Sequence, residues 1–147
     1  MKRFQRMMGY SMLEMLVALV VISVGLLAVA TLQTRGQQFN YRAYLRTQAV
    51  FLAYDIMDRI RANAVAARNG SYQLEAKPSQ QKDCTAAPCT AVELASYDLY
   101  DWYERVELLL PEAEATVSRN TTGYTIKLSW IEKEDRERTY QTWGIEL

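Results

Sequence analysis

An α+β fold follows from three features of this sequence. An apolar run passes into a long amphipathic helical pattern at the N-terminus, a capped helical segment lies in the middle, and apolar residues alternate with polar ones at the C-terminus. The expected architecture is a long N-terminal helix (a membrane half and an amphipathic half), a second helix, and a small C-terminal antiparallel sheet.

The first element is the most apolar. Met15 to Leu32 is 18 residues without a charge, interrupted only by Ser23, Gly25 and Thr31. As a helix it spans about 27 Å, close to the hydrocarbon thickness of a bilayer. A buried core helix can have this composition, but a chain of 147 residues cannot wrap a helix that is apolar on every side. The run is therefore expected in a membrane. Lys2, Arg3 and Arg6 precede it, as in the basic region of a signal peptide. No small-x-small cleavage pattern follows, so a retained anchor is expected. Charge leaves the orientation open, because Arg35, Arg42 and Arg46 on the far flank balance the three basic residues in front.

Beyond Leu32, residues Leu45, Ala49, Leu52, Ala53, Ile56 and Ile60 form one helical stripe, with Arg46, Asp55, Asp58, Arg59 and Arg61 opposite. No Pro occurs before Pro78, and Asn69-Gly70 is a helix stop. One helix from about Ser11 to Arg68 is predicted, roughly 85 Å long. Residues 70–90 are polar and predict a loop. Thr90 and Glu93 have capping-box spacing, and Pro111 marks a stop, so the second helix runs from about Ala91 to Leu110. Its apolar face is Leu99, Tyr103, Val106 and Leu110. Strands are predicted at Tyr124 to Trp130 and at Trp143 to Leu147, joined across Lys133-Glu134-Asp135. Ala115 to Ser118 adds a third strand, connected through Asn120 to Gly123.

Composition removes several kinds of function. The 17 Lys and Arg balance 17 Asp and Glu, which argues against nucleic-acid binding driven by bulk positive charge. The absence of His removes His-dependent triads, and two Cys cannot build a four-cysteine zinc site. No metal or cofactor is implied. Mean hydropathy is −0.20, an average that hides the concentration of apolar residues at one end.

The segment Gly9-Tyr10-Ser11-Met12-Leu13-Glu14 carries the strongest functional signal. A Gly is followed by an aromatic residue, and an acid stands fifth after the Gly, at the start of the apolar helix. On charge alone Glu14 is an acid favoured by the dipole at a helix N-terminus. The arrangement also resembles the type III signal of type IV pilins and pseudopilins. That resemblance implies removal of residues 1–9 by a prepilin peptidase that cuts between Gly9 and Tyr10, and methylation of the new N-terminal Tyr10. Most members have Phe at this place. It further implies that residues 10–32 are a transmembrane and filament-core helix in the inner membrane, that residues 33–147 are a periplasmic head, and that Glu14 pairs with the N-terminal amine of a neighbouring subunit. The partners implied are other minor pilins and the major pilin.

Two further stretches, Leu52 to Asn63 and Leu94 to Trp102, resemble the minor-pilin family PilV, the type IV pilus modification proteins. This implies a subunit that primes or modifies assembly at or near the pilus tip, with a part in adhesion and twitching motility. The alternative is a minor pseudopilin of a type II secretion system, which carries the same leader. A plainer reading also holds for these stretches: Asp55, Asp58, Arg59 and Arg61 are spaced for ion pairs on a solvated helix face. Tyr97, Tyr100, Trp102 and Tyr103 form either an exposed adhesive patch or packing against the long helix, the second being favoured.

Cys84 and Cys89 enclose four residues in the polar loop. They form either a small disulfide-closed loop, which a periplasmic location permits, or two free thiols. Asn69-Gly70-Ser71 and Asn120-Thr121-Thr122 match the glycosylation sequon but read as turns. An enzyme is the least favoured class. Asp98 and Asp101 lie i, i+3 on a charged helix face that is expected to be solvated, and no phosphate loop or nucleophile elbow occurs. A membrane-anchored binding module that never polymerises is the remaining class. Removal of the leader leaves 14 basic residues against 17 acidic ones, so the mature side-chain charge is −3 rather than zero.

Overall fold

A computed structural model describes residues 11–132 and 138–147. The leader, Tyr10 and the Lys133-Glu134-Asp135 connection lie outside the described residues. The elements are α1 (Met12–Ala62), α2 (Ala64–Arg68), α3 (Ala91–Leu109), β1 (Glu114–Arg119), β2 (Gly123–Ile131) and β3 (Arg138–Glu146). The chain divides into two compact units, one ending at Tyr41 and the other running from Arg42 to Leu147.

In the first unit α1 buries nothing: every residue from Ser11 to Gln37 is exposed. An 18-residue window of this helix has mean hydropathy 2.8. The polar residues within and just beyond the apolar run satisfy themselves locally. Ser23 Oγ donates to the Leu19 carbonyl at 2.7 Å, Thr31 Oγ1 to Leu27 at 3.0 Å, and Thr34 Oγ1 to Ala30 at 3.1 Å. Their hydroxyls therefore need no water, which suits an apolar environment.

The second unit holds the core. The predicted stripe of α1 is buried as expected, with Met57 added. It faces α3 and the three-stranded sheet, whose order is β1-β2-β3 with antiparallel pairing throughout. The alternation in β2 gives the inner face directly: Tyr124, Ile126, Leu128 and Trp130 are fully buried. On β3 the expectation holds for Ile145 alone. Trp143 is half-buried, and Leu147 lies beyond the strand and is exposed, because an edge strand is covered on one side only.

The single helix to Arg68 is corrected to two. Asn63 has φ −109° and ψ 54°, outside helical values. Its Nδ2 donates to the Ala91 carbonyl at 2.7 Å, a contact with the start of α3 that no local pattern announces. The stop at Asn69-Gly70 is as predicted. Gly70 has φ +83°, its N–H donates to Ala67 at 3.0 Å, and Ser71 N–H donates to Ala66 at 3.0 Å. The second helix also starts as expected: Thr90 and Glu93 form a reciprocal capping box, and Leu110, just before Pro111, is extended. One glycine is fixed by packing. A Cβ at Gly123 would stand 1.9 Å from the Ile145 carbonyl oxygen of β3.

Candidate functional site

At the head of the apolar helix, Ser11 acts as the cap. Its Oγ accepts from Leu13 N–H at 3.2 Å, and its carbonyl accepts from Glu14 N–H at 3.0 Å. This role is legible in the sequence, since a Ser directly before an apolar helix is an N-cap signal and the long helix is predicted to begin at about Ser11. Glu14 sits in the first turn, exposed. Among the described residues it has no ion-pair partner. The first turn of a helix favours an anion, but an exposed carboxylate beside 18 uncharged residues needs a cation once water is removed. Gly9 and Tyr10 lie outside the described residues.

In the head, α1 and α3 are locked by a cluster around Arg59. The guanidinium reaches Asp101 Oδ2 at 2.8 Å, Asp98 Oδ1 at 3.3 Å and Asp55 Oδ1 at 3.3 Å. Arg105 also binds Asp101, at 2.9 Å. Tyr72 O–H donates to Asp98 Oδ2 at 2.6 Å. Burial pushes the Tyr72 hydroxyl above its ordinary pKa, and the Asp98 carboxylate pushes it further. For Arg59, burial pulls downward, but the hydrogen bonds and charges of Asp101 and Asp55 together outweigh it, so the group is held above its ordinary value.

This corrects the solvated-face reading for four residues. Asp58 and Arg61 do form an exposed i, i+3 pair at 3.0 Å. Asp55 and Arg59 form the expected i, i+4 pair, but with Asp98 and Asp101 they make a half-buried bridge between helices, with the Asp98 side chain 13% exposed. Carboxylates held this way are ion-pair partners, not free general bases. The favoured reading of the aromatic group holds: Trp102 and Tyr103 are buried, and Tyr97 and Tyr100 are half-buried.

Arg59→Ala should lower head stability by about 2–3 kcal/mol, less than for a fully buried pair because the cluster is partly wet, since it leaves Asp55 and Asp101 with Arg105 as their cation and Asp98 with the Tyr72 hydroxyl. Urea unfolding of the detergent-solubilised protein followed by circular dichroism measures this. A change within 0.5 kcal/mol, the usual range for a surface site, would contradict the bridging role.

Sequence reasoning missed a second buried ion pair. Glu132 is 8% exposed and accepts from Arg42 Nε on α1 at 3.1 Å. The alternation of β2 carried the signal, because Glu132 shares the inner face with Leu128 and Trp130, where a charge requires a partner.

Cys84 and Cys89 are joined by a disulfide with Cα atoms 5.5 Å apart. Lys82 fastens this loop to α3: its Nζ donates to the Pro88 carbonyl at 3.0 Å and to Glu93 Oε1 at 3.2 Å. Replacing both cysteines by Ser should cost about 2 kcal/mol, the chain-entropy value for so small a loop. Thermal unfolding of wild type and double variant under one buffer gives the number, and an unchanged midpoint would show that the reduced loop is already ordered.

An unburied apolar N-terminal helix, a second capped helix and a small antiparallel sheet together make a type IV pilin-like α+β fold. The family model of Tt1218-like proteins, described as type IV pilin Tt1218, matches residues 31–100, which span the amphipathic half of α1, α2, the disulfide loop and the first half of α3. The match supports the type IV pilin superfamily and a pilin structural subunit. Comparison with curated proteins and with solved structures returns no match.

Proposed function

We propose that this chain is a minor pilin of a type IV pilus, of the PilV kind. A prepilin peptidase cuts between Gly9 and Tyr10, and Tyr10 is then methylated. Residues 10–32 anchor the protein in the inner membrane and later join the helical core of the filament. Residues 33–147 form a periplasmic head that reaches the cell surface with the fibre. The subunit meets other minor pilins and the major pilin through its N-terminal helix, acts at or near the tip in priming or modifying assembly, and contributes there to adhesion and twitching motility.

The observation that carries this reading is a helix with mean hydropathy 2.8 over 18 residues, none of it buried, joined in sequence to a region that matches a pilin family. Such a helix needs lipid or other helices around it, and its single acid needs an opposite charge there. The test is the intact mass of the protein purified from membranes, combined with its recovery in sheared filaments. Loss of residues 1–9 plus one methyl group, with the protein present in filaments, is expected. An unprocessed mass would overturn the leader assignment. A processed protein absent from filaments, whose deletion blocks exoprotein secretion while piliation stays normal, would favour a type II secretion pseudopilin.

A further inference from the structure

In the head, α1 gives one side to the core, the stripe from Leu45 to Ile60. The side turned away carries Tyr44, Phe51 and Tyr54, each more than half exposed, with exposed Thr47 between them. Three aromatic rings on a helix that has already buried its apolar stripe mark a contact surface. Thr47 Oγ1 donates to the Ala43 carbonyl at 2.9 Å, so its hydroxyl is satisfied without water. Positions 44, 47, 51 and 54 are spaced as a and d of a heptad, the narrow seam of a coiled coil. The same track continues along the sequence. Steps of three and four back from Tyr44 pass Asn40, Gln37 and Gln33 and reach Leu16 without meeting a charge. The three charged residues between Leu16 and Tyr54, namely Arg35, Arg42 and Arg46, lie off it. Forward, the track ends on Asp58 and Arg61, which form an exposed pair at 3.0 Å.

This seam matches itself when two copies of the helix lie parallel about a two-fold axis along their length. Aromatic rings then meet aromatic rings, and amides meet amides, which donate and accept at once. Asp58 of each copy meets Arg61 of the other, so the exposed pair exchanges partners twice across the axis. The core side of α1 points away from the seam, so the two heads lie on opposite sides of the axis. An antiparallel arrangement would send the two apolar runs to opposite ends of the pair, which one shared bilayer forbids. Anchorage in one plane also lowers the freedom lost on association.

We propose that two copies of this chain associate in the membrane as a parallel pair, through Tyr44, Thr47, Phe51 and Tyr54 of α1. The proposal rests on the pilin reading only in placing the apolar run in a bilayer. Both native cysteines are held in the Cys84–Cys89 disulfide, so an introduced cysteine is the one free thiol. Thr47→Cys in the full-length protein, oxidised in membranes, is expected to give a disulfide-linked species of twice the protein's mass, because a seam residue faces its own mate. Arg46→Cys, exposed one residue away but off the seam, is expected to give about tenfold less. Adding Phe51→Lys should reduce the Thr47→Cys dimer about tenfold, because two like charges then face each other across the axis. Phe51 is exposed, so the thermal midpoint of the head should not move. Equal linking at positions 46 and 47, linkage to a different protein, or a dimer indifferent to Phe51→Lys overturns the proposal. None of these outcomes bears on leader removal or recovery in filaments, which test the pilin reading separately.

Discussion

Glu14→Ala should leave membrane insertion intact and remove the protein from sheared filaments. The substitution makes the helix more apolar, so partition into the bilayer is not weakened. What it removes is the only acid within the apolar stretch, in a turn where the carboxylate is exposed and has no partner among the described residues. On the proposed reading, that carboxylate meets the N-terminal amine of a neighbouring subunit where water is scarce. Two unit charges attract far more strongly there than in water, and either one left alone is costly. An ionised group at the centre of a membrane helix costs about 2.5–3.5 kcal/mol, and one near the end costs less. Leaving an amine unpaired at about 2 kcal/mol corresponds to a drop of roughly 30-fold in incorporation. Immunoblots of sheared filaments and of membranes, compared at equal expression, separate assembly from insertion. Normal amounts of the Ala variant in filaments would remove Glu14 from the mechanism.

Trp102→Ala should be the most destabilising single change in the head, at about 3–5 kcal/mol. Trp102 is fully buried, and its Nε1 donates to the Leu52 carbonyl of α1 at 2.8 Å. Truncation therefore leaves a cavity between α1 and α3 and deletes a hydrogen bond across their contact. A domain of this size is typically stable by 5–15 kcal/mol, so much of the margin disappears. Trp102→Phe keeps most of the volume and loses the donor, and should cost about 1–2 kcal/mol. Urea midpoints of the two variants, with slopes unchanged, test the ordering. An Ala variant within 1 kcal/mol of wild type would mean that the site collapses freely, which a close-packed core does not do.

Periodicity is a local property, and it served well where one face of an element decides its fate. The stripe from Leu45 to Ile60, the capping box at Thr90 and Glu93, and the alternation from Tyr124 to Trp130 all correspond to what the fold contains. Local signals failed where a residue answers to a distant neighbour. Asn63 breaks the helix for the sake of Ala91, 28 residues away. Arg59 looked like one member of a solvated charge row, yet its partners Asp98 and Asp101 lie 39 and 42 residues away. Charge spacing along one helix cannot distinguish a wet face from a face that meets a second charged helix.

The sequence by itself determined the apolar N-terminal run, the acid at its start, the order of the two long helices and the sheet, and the cysteine pair, because each rests on composition or on spacing within one segment. Only the tertiary structure decided that the acids of α3 clamp Arg59, that Glu132 is buried against Arg42, and that β2 lies between β1 and β3 in the sheet. Those features depend on which surfaces meet when α1, α3 and the sheet close on one core, and desolvation at those meetings sets which charges must pair.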